Sequence, residues 1–145
     1  MVKKKILVTG ANGLLGQKII YNLKNRTDVS LLACSKGVNR LIETNGYKYI
    51  ELDITNKNQV QKVISLEKPD AVINCAAMTN VDKCENNQKE CWEINVNAVE
   101  NIATSCELIK AHVLHLSTDF VFDGTAGPYK ENDQPNPLHF YAESK

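Results

Sequence analysis

Short apolar runs alternate along the chain with stretches whose apolar residues recur at helical spacing. The runs have strand length and lie at residues 5–9, 29–34, 47–52, 70–74 and 111–116. Helical spacing is found at residues 14–24, from residue 55 or 56 to Pro69, and at residues 87–108. In the first helix, Leu14 and Leu15 begin the apolar pattern that Ile19 and Leu23 continue. This alternation predicts an α/β fold, a doubly wound parallel sheet of the Rossmann-like type.

The last part of the chain, residues 123–145, breaks this alternation. It holds the loop-forming residues Gly124, Gly127, Pro128, Pro135 and Pro137. The loop leads into residues 141–145, which look like the first turns of another helix. Because a helix that stops in its first turns buries little surface, we expect residues 1–145 to be an N-terminal part of a longer protein. The sheet would then lack its last strands.

Charge and cysteine content exclude several classes of function. The 145 residues carry 17 Lys and Arg and 17 Asp and Glu, so the chain offers no basic surface for nucleic acid. Its five cysteines include no C-x-x-C pair, which predicts free thiols and no metal site. The N-terminal apolar run is too short for a secretion signal, and no run approaches the roughly 20 apolar residues of a membrane span. We therefore expect a cytoplasmic protein that binds neither nucleic acid nor membranes.

Three glycines lie where the first predicted strand meets the first predicted helix. Gly10, Gly13 and Gly16 follow the pattern G-x-x-G-x-x-G. A loop without Cβ atoms turns tightly and lets a pyrophosphate approach its backbone, where N–H groups at the start of the helix attract the anion. The preceding strand and the following helix are the context that this motif needs, so the loop predicts nucleotide binding. The alternative is a turn that only requires positive φ.

The end of the second predicted strand bears on the choice of cofactor. NAD-binding folds usually place an acidic residue there, on the ribose hydroxyls. This strand instead runs into Ser35 and Lys36, with Arg40 close behind and no acidic residue before Glu43. A hydroxyl and two cations suit the 2′-phosphate of NADPH, with NADH as the alternative cofactor. The other interpretation is that Lys36 and Arg40 are solvated loop charges.

Candidate catalytic residues stand at the end of the fifth predicted strand and in the last five residues. Ser117 and Thr118 follow the strand, where open α/β sheets bind their ligands. Tyr141 and Lys145 are four residues apart, so a helix presents both on one side. A nearby ammonium stabilises a phenolate, which makes a phenol, with its ordinary pKa of about 10, usable as a proton donor at neutral pH. A Ser117 or Thr118 hydroxyl would polarise the same substrate oxygen.

These motifs together resemble one protein family. TGANGLLG has the glycine spacing of the extended short-chain dehydrogenase/reductase family. The dTDP-4-dehydrorhamnose reductase branch of that family is also similar in TGANGLLGQ, LDIT, NCAAMTNVDKCE, STDFVFDGTAGPY and YAESK, which fall within residues 9–145. The chain departs from that branch at Met78, where Tyr or His is usual, and at Cys75, where Ala is common.

The resemblance implies roles for individual residues. Thr118, Tyr141 and Lys145 would form the catalytic triad, with Tyr141 protonating the C4 oxygen of a dTDP-sugar while NADPH delivers hydride to C4. The glycines would hold the pyrophosphate and Asp53 the adenine, although Asp53 could also be a loop or capping residue. The cofactor-binding residues expected in all are Gly10, Asn12, Gly13, Leu14, Leu15, Gly16, Ser35, Lys36, Arg40, Asp53, Ile54, Cys75, Ala76, Ala77, Tyr141 and Lys145.

The resemblance also implies a domain organisation. Residues 1–145 would be an NAD(P)-binding domain, and the sugar nucleotide would be held largely by a C-terminal domain outside this chain. We therefore expect residues 1–145 alone to bind cofactor without useful turnover. A homodimer is compatible with this expectation.

Two other functions remain open. The chain resembles the regulatory β subunit of methionine adenosyltransferase in its glycine loop and in FDGT-x-x-PY, and it resembles sugar-nucleotide epimerases and dehydratases of the extended family in its triad. The motif T-x-V-D-x-x-E, formed by Thr79, Val81, Asp82 and Glu85, favours the reductase over the regulatory subunit. STDFVFDG is less like the strand end of the epimerases. Asp82 could equally cap a helix.

Overall fold

Five parallel strands form a single sheet in the computed structural model, which describes residues 2–145. The strands are β1 (Lys4–Thr9), β2 (Val29–Ser35), β3 (Lys48–Glu51), β4 (Ala71–Asn74) and β5 (His112–His115). Their order across the sheet is β3-β2-β1-β4-β5, and every neighbouring pair is parallel. The prediction of a doubly wound parallel sheet is therefore confirmed.

Six α-helices connect or follow the strands. They are α1 (Leu14–Leu23), α2 (Lys57–Glu67), α3 (Val81–Asn86), α4 (Gln88–Trp92), α5 (Ala98–Ile109) and α6 (Phe140–Glu143). A π-helical turn (Glu93–Asn97) joins α4 to α5, and a 3₁₀ turn (Asp119–Val121) follows β5. Helix α2 is capped by Asn56, whose side chain accepts a hydrogen bond from the Gln59 N–H at 3.1 Å, and it is followed by Lys68 in the left-handed conformation. Of the two residues at which this helix was expected to start, 55 and 56, the second is therefore the one that caps it.

The apolar core lies on both faces of the sheet. On one face, Val8 and Leu31 pack in a buried cluster with Ile20 of α1. The opposite cluster combines strand residues with α2 and α5, and its members include Leu7, Leu32, Val60, Ile64, Val72 and Ile102. Because both faces are covered, the strands are nearly continuous in apolar residues, as parallel strands usually are.

The chain changes direction across the sheet at β1. Strand β2 pairs with one edge of β1, and β4 pairs with the other edge. In open α/β sheets, such a reversal leaves a crevice at the carboxyl ends of the two diverging strands, and ligands bind there. The residues that follow β1 and β4 are therefore the candidates for a ligand-binding site.

Local predictions failed at two places, and the exposure of α1 adds a detail that its apolar spacing did not give. The predicted helix at residues 87–108 is divided by the π turn, and α3 occupies a stretch for which no helix was predicted. Helix α3 is capped by Asn80, which accepts from the Lys83 N–H at 2.8 Å, and not by Asp82. Leu14 is 80% exposed and Leu15 48%. Other residues of α1 form its buried face, namely Gly16 and Ile20.

The loop between β5 and α6 is ordered around the Asp123 carboxylate. This carboxylate accepts hydrogen bonds from Asn136 Nδ2 at 2.8 Å, from the Thr125 N–H at 2.9 Å and from Tyr129 Oη at 2.7 Å. These bonds, the one from Asn136 first, hold the pKa of Asp123 well below its usual range. The Phe122 ring stacks on Tyr129 with centroids 4.3 Å apart. A segment rich in glycine and proline thus has a defined path to α6.

Helix α5 offers a matched test of the core. Ile102 is 1% exposed and packs between the sheet and α2, whereas Leu108 on the same helix is 70% exposed. We expect Ile102→Ala to lower the free energy of unfolding by about 2–5 kcal/mol, because it removes buried methyl groups and leaves a cavity. Leu108→Ala should change it by less than about 0.5 kcal/mol. Urea unfolding followed by circular dichroism measures both, and equal effects would contradict this packing.

Candidate cofactor groove and catalytic site

The glycine loop passes very close to the end of β4. Gly10 has φ +62°, and a Cβ there would lie 2.7 Å from the Ala76 backbone nitrogen. A Cβ on Gly16 would overlap the Gly10 carbonyl oxygen and approach Ala11 Cα to 2.9 Å. Only glycine permits both approaches. Gly10 therefore lets the loop lie against the end of β4, and Gly16 lets the first turn of α1 lie against the loop.

Helix α1 begins directly after this loop without a side-chain cap. Gly13 occupies the capping position and has no side chain to accept from the first N–H groups. Those N–H groups have no partner within the helix, and they carry the positive end of the helix dipole. The arrangement suits an anion such as a pyrophosphate. Leu14 and Leu15 extend from this end into solvent.

Asn12 ties the glycine loop to the loop that follows β2. Its Nδ2 donates to the Val38 carbonyl at 2.9 Å, and its Oδ1 accepts from the Arg40 N–H at 2.9 Å. Nδ2 also lies 3.3 Å from Tyr49 Oη, which itself donates to the Gly37 carbonyl at 2.7 Å. The Asn12 side chain is thus engaged with protein groups, and it fixes the backbone on one side of the crevice.

A cavity of about 300 Å³ opens between the glycine loop and the ends of β2, β3 and β4. We call it the glycine-loop cavity. It is lined by Gly10, Gly13, Ser35, Lys36, Leu52, Asp53, Ile54, Thr55, Cys75, Ala76, Ala77 and Ile94. Nine of these lining residues were predicted to bind the cofactor. The small side chains after β4 leave room for a ligand beside the backbone.

Lys36 and Asp53 face each other across one end of this cavity. Lys36 Nζ lies 2.7 Å from Asp53 Oδ2, and the other Asp53 oxygen accepts from the Thr55 N–H at 3.0 Å. The hydrogen bond and charge of Asp53 raise the pKa of Lys36. Partial burial acts to raise the pKa of Asp53, but the bonds from Lys36 and Thr55 outweigh it and lower that pKa. Both groups are therefore charged and paired at neutral pH.

Arg40 is not brought into the same cavity. The residue is exposed, and it is not part of the cavity lining. Its backbone N–H binds Asn12. Of the three residues predicted to meet a 2′-phosphate, Ser35 and Lys36 thus line the cavity, and Arg40 lies outside it.

A second cavity of about 330 Å³ continues from the first toward α6, and we call it the Tyr141 cavity. It is lined by Gly13, Leu14, Leu15, Gly16, Asn74, Cys75, Ala77, Thr79, Leu116, Ser117, Tyr141 and Lys145. Gly13, Cys75 and Ala77 border both cavities. The two cavities are therefore adjacent, and together we call them the groove, which extends from Lys36 to Lys145.

Tyr141 and Lys145 meet in this cavity although α6 is shorter than predicted. The helix ends at Glu143, and Lys145 follows it with its N–H donating to the Ala142 carbonyl at 3.2 Å. Tyr141 is buried. Burial lowers the pKa of Lys145. Burial also lowers the pKa of His115, and the positive charge of Lys145 lowers it further. A partly desolvated ammonium thus borders the same space as the phenol.

Thr118 is engaged elsewhere, and Ser117 takes its place in the cavity lining. Thr118 Oγ1 accepts from the Phe120 N–H at 3.3 Å and donates to Asp119 Oδ1 at 3.2 Å, so it caps the 3₁₀ turn. Ser117 is exposed to the Tyr141 cavity. Of Ser117 and Thr118, the residue that lines the Tyr141 cavity is therefore Ser117.

Two buried asparagines support the groove, and sequence reasoning missed both. Asn74, at the end of β4, accepts from Thr9 Oγ1, and its Nδ2 lies 3.1 Å from His115 Nδ1, so it joins three neighbouring strands. Asn95, in the π turn, accepts from the Met78 N–H at 2.8 Å and donates to the Met78 carbonyl at 3.0 Å. Asn95 could have been found as a polar residue three and seven positions before buried Ala98 and Ile102 on the apolar side of a helix.

Residues 2–145 contain neither a membrane-spanning helix nor a metal-binding cluster of side chains. None of the helices found there is long and apolar enough to cross a membrane. In the same residues, no three His, Cys, Asp or Glu side chains are grouped to hold a metal ion.

The close approach at Gly10 can be tested against a second glycine of similar φ. Gly37 has φ +77°, but a Cβ there would meet nothing within 4 Å, whereas a Cβ on Gly10 would have backbone atoms of Cys75 and Ala76 within 3 Å. We expect Gly37→Ala to cost about 1–2 kcal/mol of unfolding free energy through its φ alone. Gly10→Ala should cost clearly more, because the loop must also move away from β4. Urea unfolding of both variants measures the difference, and equal losses would refute the clash.

One protein family and several known proteins match most of this chain in sequence. The family described as "RmlD substrate binding domain" matches residues 4–145. A dTDP-4-dehydrorhamnose reductase of Aggregatibacter actinomycetemcomitans is 37% identical over 142 residues, covering 97% of this chain and 44% of that protein. Methionine adenosyltransferase 2 subunit beta of Bos taurus is 33% identical over 142 residues, covering 98% of this chain and 40% of that protein.

Solved structures of dTDP-4-dehydrorhamnose reductases also resemble this chain in sequence and fold. A crystal structure of a hypothetical dTDP-4-dehydrorhamnose reductase from Sulfolobus tokodaii is 38% identical, has a TM-score of 0.83 and covers 97% of this chain and 48% of that one. The dTDP-4-dehydrorhamnose reductase of Bacillus anthracis in complex with NADP is 32% identical with a TM-score of 0.83, covering 99% of this chain and 47% of that one. The chain thus spans slightly less than half the length of these relatives. Its match over residues 4–145 means that the chain belongs to the RmlD substrate binding domain family.

Proposed function

We propose that this chain forms the cofactor-binding part of a reductase that converts dTDP-4-dehydro-L-rhamnose to dTDP-L-rhamnose with NADPH. The observation that carries the proposal is the pair of adjacent cavities, which lead from the glycine loop to Tyr141 and Lys145. A groove of this kind suits a dinucleotide with its pyrophosphate at α1 and its nicotinamide beside Tyr141. The reductases at 37% and 38% identity support the substrate class.

The residues of the Tyr141 cavity account for the proton chemistry. Reduction of the ketone needs a hydride at C4, which the bound nicotinamide supplies, and a proton on the C4 oxygen. Tyr141 gives that proton from its phenol, and the C=O group becomes CH–OH. The Lys145 ammonium stabilises the phenolate that remains until it regains a proton from solvent. Because Lys145 is partly buried, its charge acts on the phenolate more strongly than it would in water.

A serine or threonine hydroxyl completes the expected triad. The resemblance assigns this role to Thr118, whose hydroxyl caps the 3₁₀ turn. Ser117 borders the Tyr141 cavity directly. For Thr118 to reach the substrate oxygen, its hydroxyl would have to exchange its bond to Asp119 for one to the ligand. Ser117 is therefore the second candidate for polarising the ketone.

The Lys36–Asp53 pair supports NADPH as the cofactor. A 2′-phosphate at this end of the groove would meet the Lys36 ammonium and compete with Asp53 for it. NADH carries only hydroxyls there, and Asp53 could accept from them. Lys36 thus favours NADPH, while Asp53 leaves NADH as a weaker alternative. The structure of the relative from Bacillus anthracis is a complex with NADP.

The second candidate function is a regulatory subunit that binds NADP without catalysis. It is favoured by the bovine methionine adenosyltransferase subunit, whose identity of 33% is close to the 37% of the reductase. The motif of Thr79, Val81, Asp82 and Glu85 supports the reductase instead. Catalytic turnover separates the two functions, since a groove that binds NADPH is common to both.

Lys36 provides the test of cofactor preference. We expect the chain to bind NADPH more tightly than NADH, and Lys36→Ala to weaken NADPH binding by about tenfold or more, because a charge-assisted bond to the phosphate is lost. NADH binding should change less than about twofold. Lys48→Ala is the control, since Lys48 pairs with Glu67 at 2.6 Å outside the glycine-loop cavity. Nicotinamide fluorescence titrations measure the affinities, and equal losses for the two cofactors would exclude a role in discrimination.

Tyr141 provides the test of catalysis. We expect Tyr141→Phe to lower the rate of dTDP-4-dehydro-L-rhamnose reduction by about a hundredfold or more, because the proton donor is removed. NADPH affinity should stay within about twofold. The rate is followed as consumption of NADPH, with residues 1–145 alone and joined to the C-terminal half of the Aggregatibacter reductase. If both forms bind NADPH and neither turns over, the regulatory function replaces this proposal.

A further inference from the structure

Helix α6 carries the candidate proton donor but is too short to hold its own position. It has four residues, Phe140–Glu143, and Lys145 lies just beyond its end. The first turn of a helix fixes several residues for a single hydrogen bond, so an isolated segment of this length does not stay helical in water. Contacts with the rest of the protein must therefore set where Tyr141 and Lys145 lie. They comprise apolar packing, in which Tyr141 is buried against Met78, Cys84 and Cys91, and hydrogen bonds from other elements to the backbone of α6.

The N-terminus of α6 is bound by two side chains. Glu85 Oε1, from α3, accepts from the Phe140 N–H at 2.6 Å across a separation of 55 residues. His139 Nδ1 accepts from the Ala142 N–H at 3.2 Å and acts as the local cap. A carboxylate forms the stronger bond of the two kinds, and its charge complements the positive end of the helix dipole. Of these two bonds, the one from Glu85 alone joins α6 to a distant element.

The C-terminal end of α6 is bound from the π turn. Asn95 Nδ2 donates to Ser144 Oγ at 2.9 Å, and that hydroxyl donates to the Tyr141 carbonyl at 2.7 Å. This bond is buried, and Asn95 is also needed for the backbone of Met78. Replacement of Asn95 would therefore disturb the core as well as α6. Replacement of Glu85 is expected to affect α6 without disturbing the core.

Glu85 contributes to α6 without belonging to the core. The residue is exposed, and its side chain makes a hydrogen bond to the Phe140 N–H. Asp82, one turn earlier on α3, is also exposed, and within residues 2–145 no hydrogen bond to its carboxylate is found. The two carboxylates thus share a helix, a charge and an exposed setting. They differ in the bond to α6.

We propose that Glu85 is a positioning residue, whose carboxylate holds the first N–H of α6 and so sets Tyr141 and Lys145 against the groove. The proposal rests on the proposed function in one respect, that Tyr141 is the proton donor. It gives the acidic end of the T-x-V-D-x-x-E motif a physical role, since Glu85 binds the helix of the candidate proton donor and lines neither the glycine-loop cavity nor the Tyr141 cavity.

Amide hydrogen exchange on the 145-residue chain tests the hold on α6 without any need for catalysis. We expect Glu85→Ala to speed exchange at Phe140, Ala142 and Glu143, whose N–H groups are hydrogen-bonded, by about tenfold or more. Glu85→Gln should recover part of this protection, because its amide oxygen still accepts. Asp82→Asn should leave these amides within about twofold of the wild type, and the amides of α1 should be unchanged in every variant. If Glu85→Ala exchanges at wild-type rates, the proposal is wrong.

Steady-state kinetics in the reductase assay then show whether the bond from Glu85 affects catalysis or only stabilises α6. We expect Glu85→Ala to lower kcat by about tenfold or more while KM for NADPH changes less than about twofold, because the glycine-loop cavity is untouched. Glu85→Gln should restore most of kcat, and Asp82→Asn should match the wild type. Faster exchange with an unchanged kcat would overturn the positioning role. If the wild type has no reductase activity, the proposed function fails, while the exchange data still decide whether Glu85 holds α6.

Discussion

The close contact between the glycine loop and the end of β4 is the constraint on which the site depends. Gly10 can lie against Ala76 because it has no Cβ, and this contact brings α1 to the point where the sheet reverses. Beneath it, Thr9 and Asn74 bind each other across β1 and β4. The groove is therefore a product of sheet topology, and its position is fixed by backbone geometry and by buried polar bonds together.

The two ends of the groove have different physical support. The glycine-loop cavity is built on strands whose residues are almost fully buried, so its shape is as stable as the sheet. The Tyr141 cavity has one wall made by a four-residue helix and the loop around Asp123. That wall is held by individual bonds from Glu85, His139 and Asn95. Local opening of α6 can therefore occur while the nucleotide end stays intact.

Much of the fold followed from local pattern, and what could not be predicted depends on tertiary contacts. The strands, the parallel sheet and the glycine loop have short-range signals in apolar runs and in glycine spacing. The π turn left no such signal, because it reflects how Asn95 reaches Met78 across the structure. Leu14 begins the apolar pattern of α1 and yet is exposed, which spacing alone did not indicate. The Lys36–Asp53 pair joins two loops that are distant in sequence, so neither residue could be assigned its partner beforehand.

The two cavities of the groove have different physical support, and this has a consequence for how the functions of such chains diverge. Under the proposed function, nucleotide binding rests on the sheet, and proton donation rests on a short helix held by packing and by single hydrogen bonds. Changes at those contacts would then remove catalysis and leave a stable nucleotide-binding protein. A dTDP-4-dehydrorhamnose reductase and a methionine adenosyltransferase subunit match this chain at 37% and 33% identity. Overall sequence identity therefore does not by itself tell which function a chain of this fold performs.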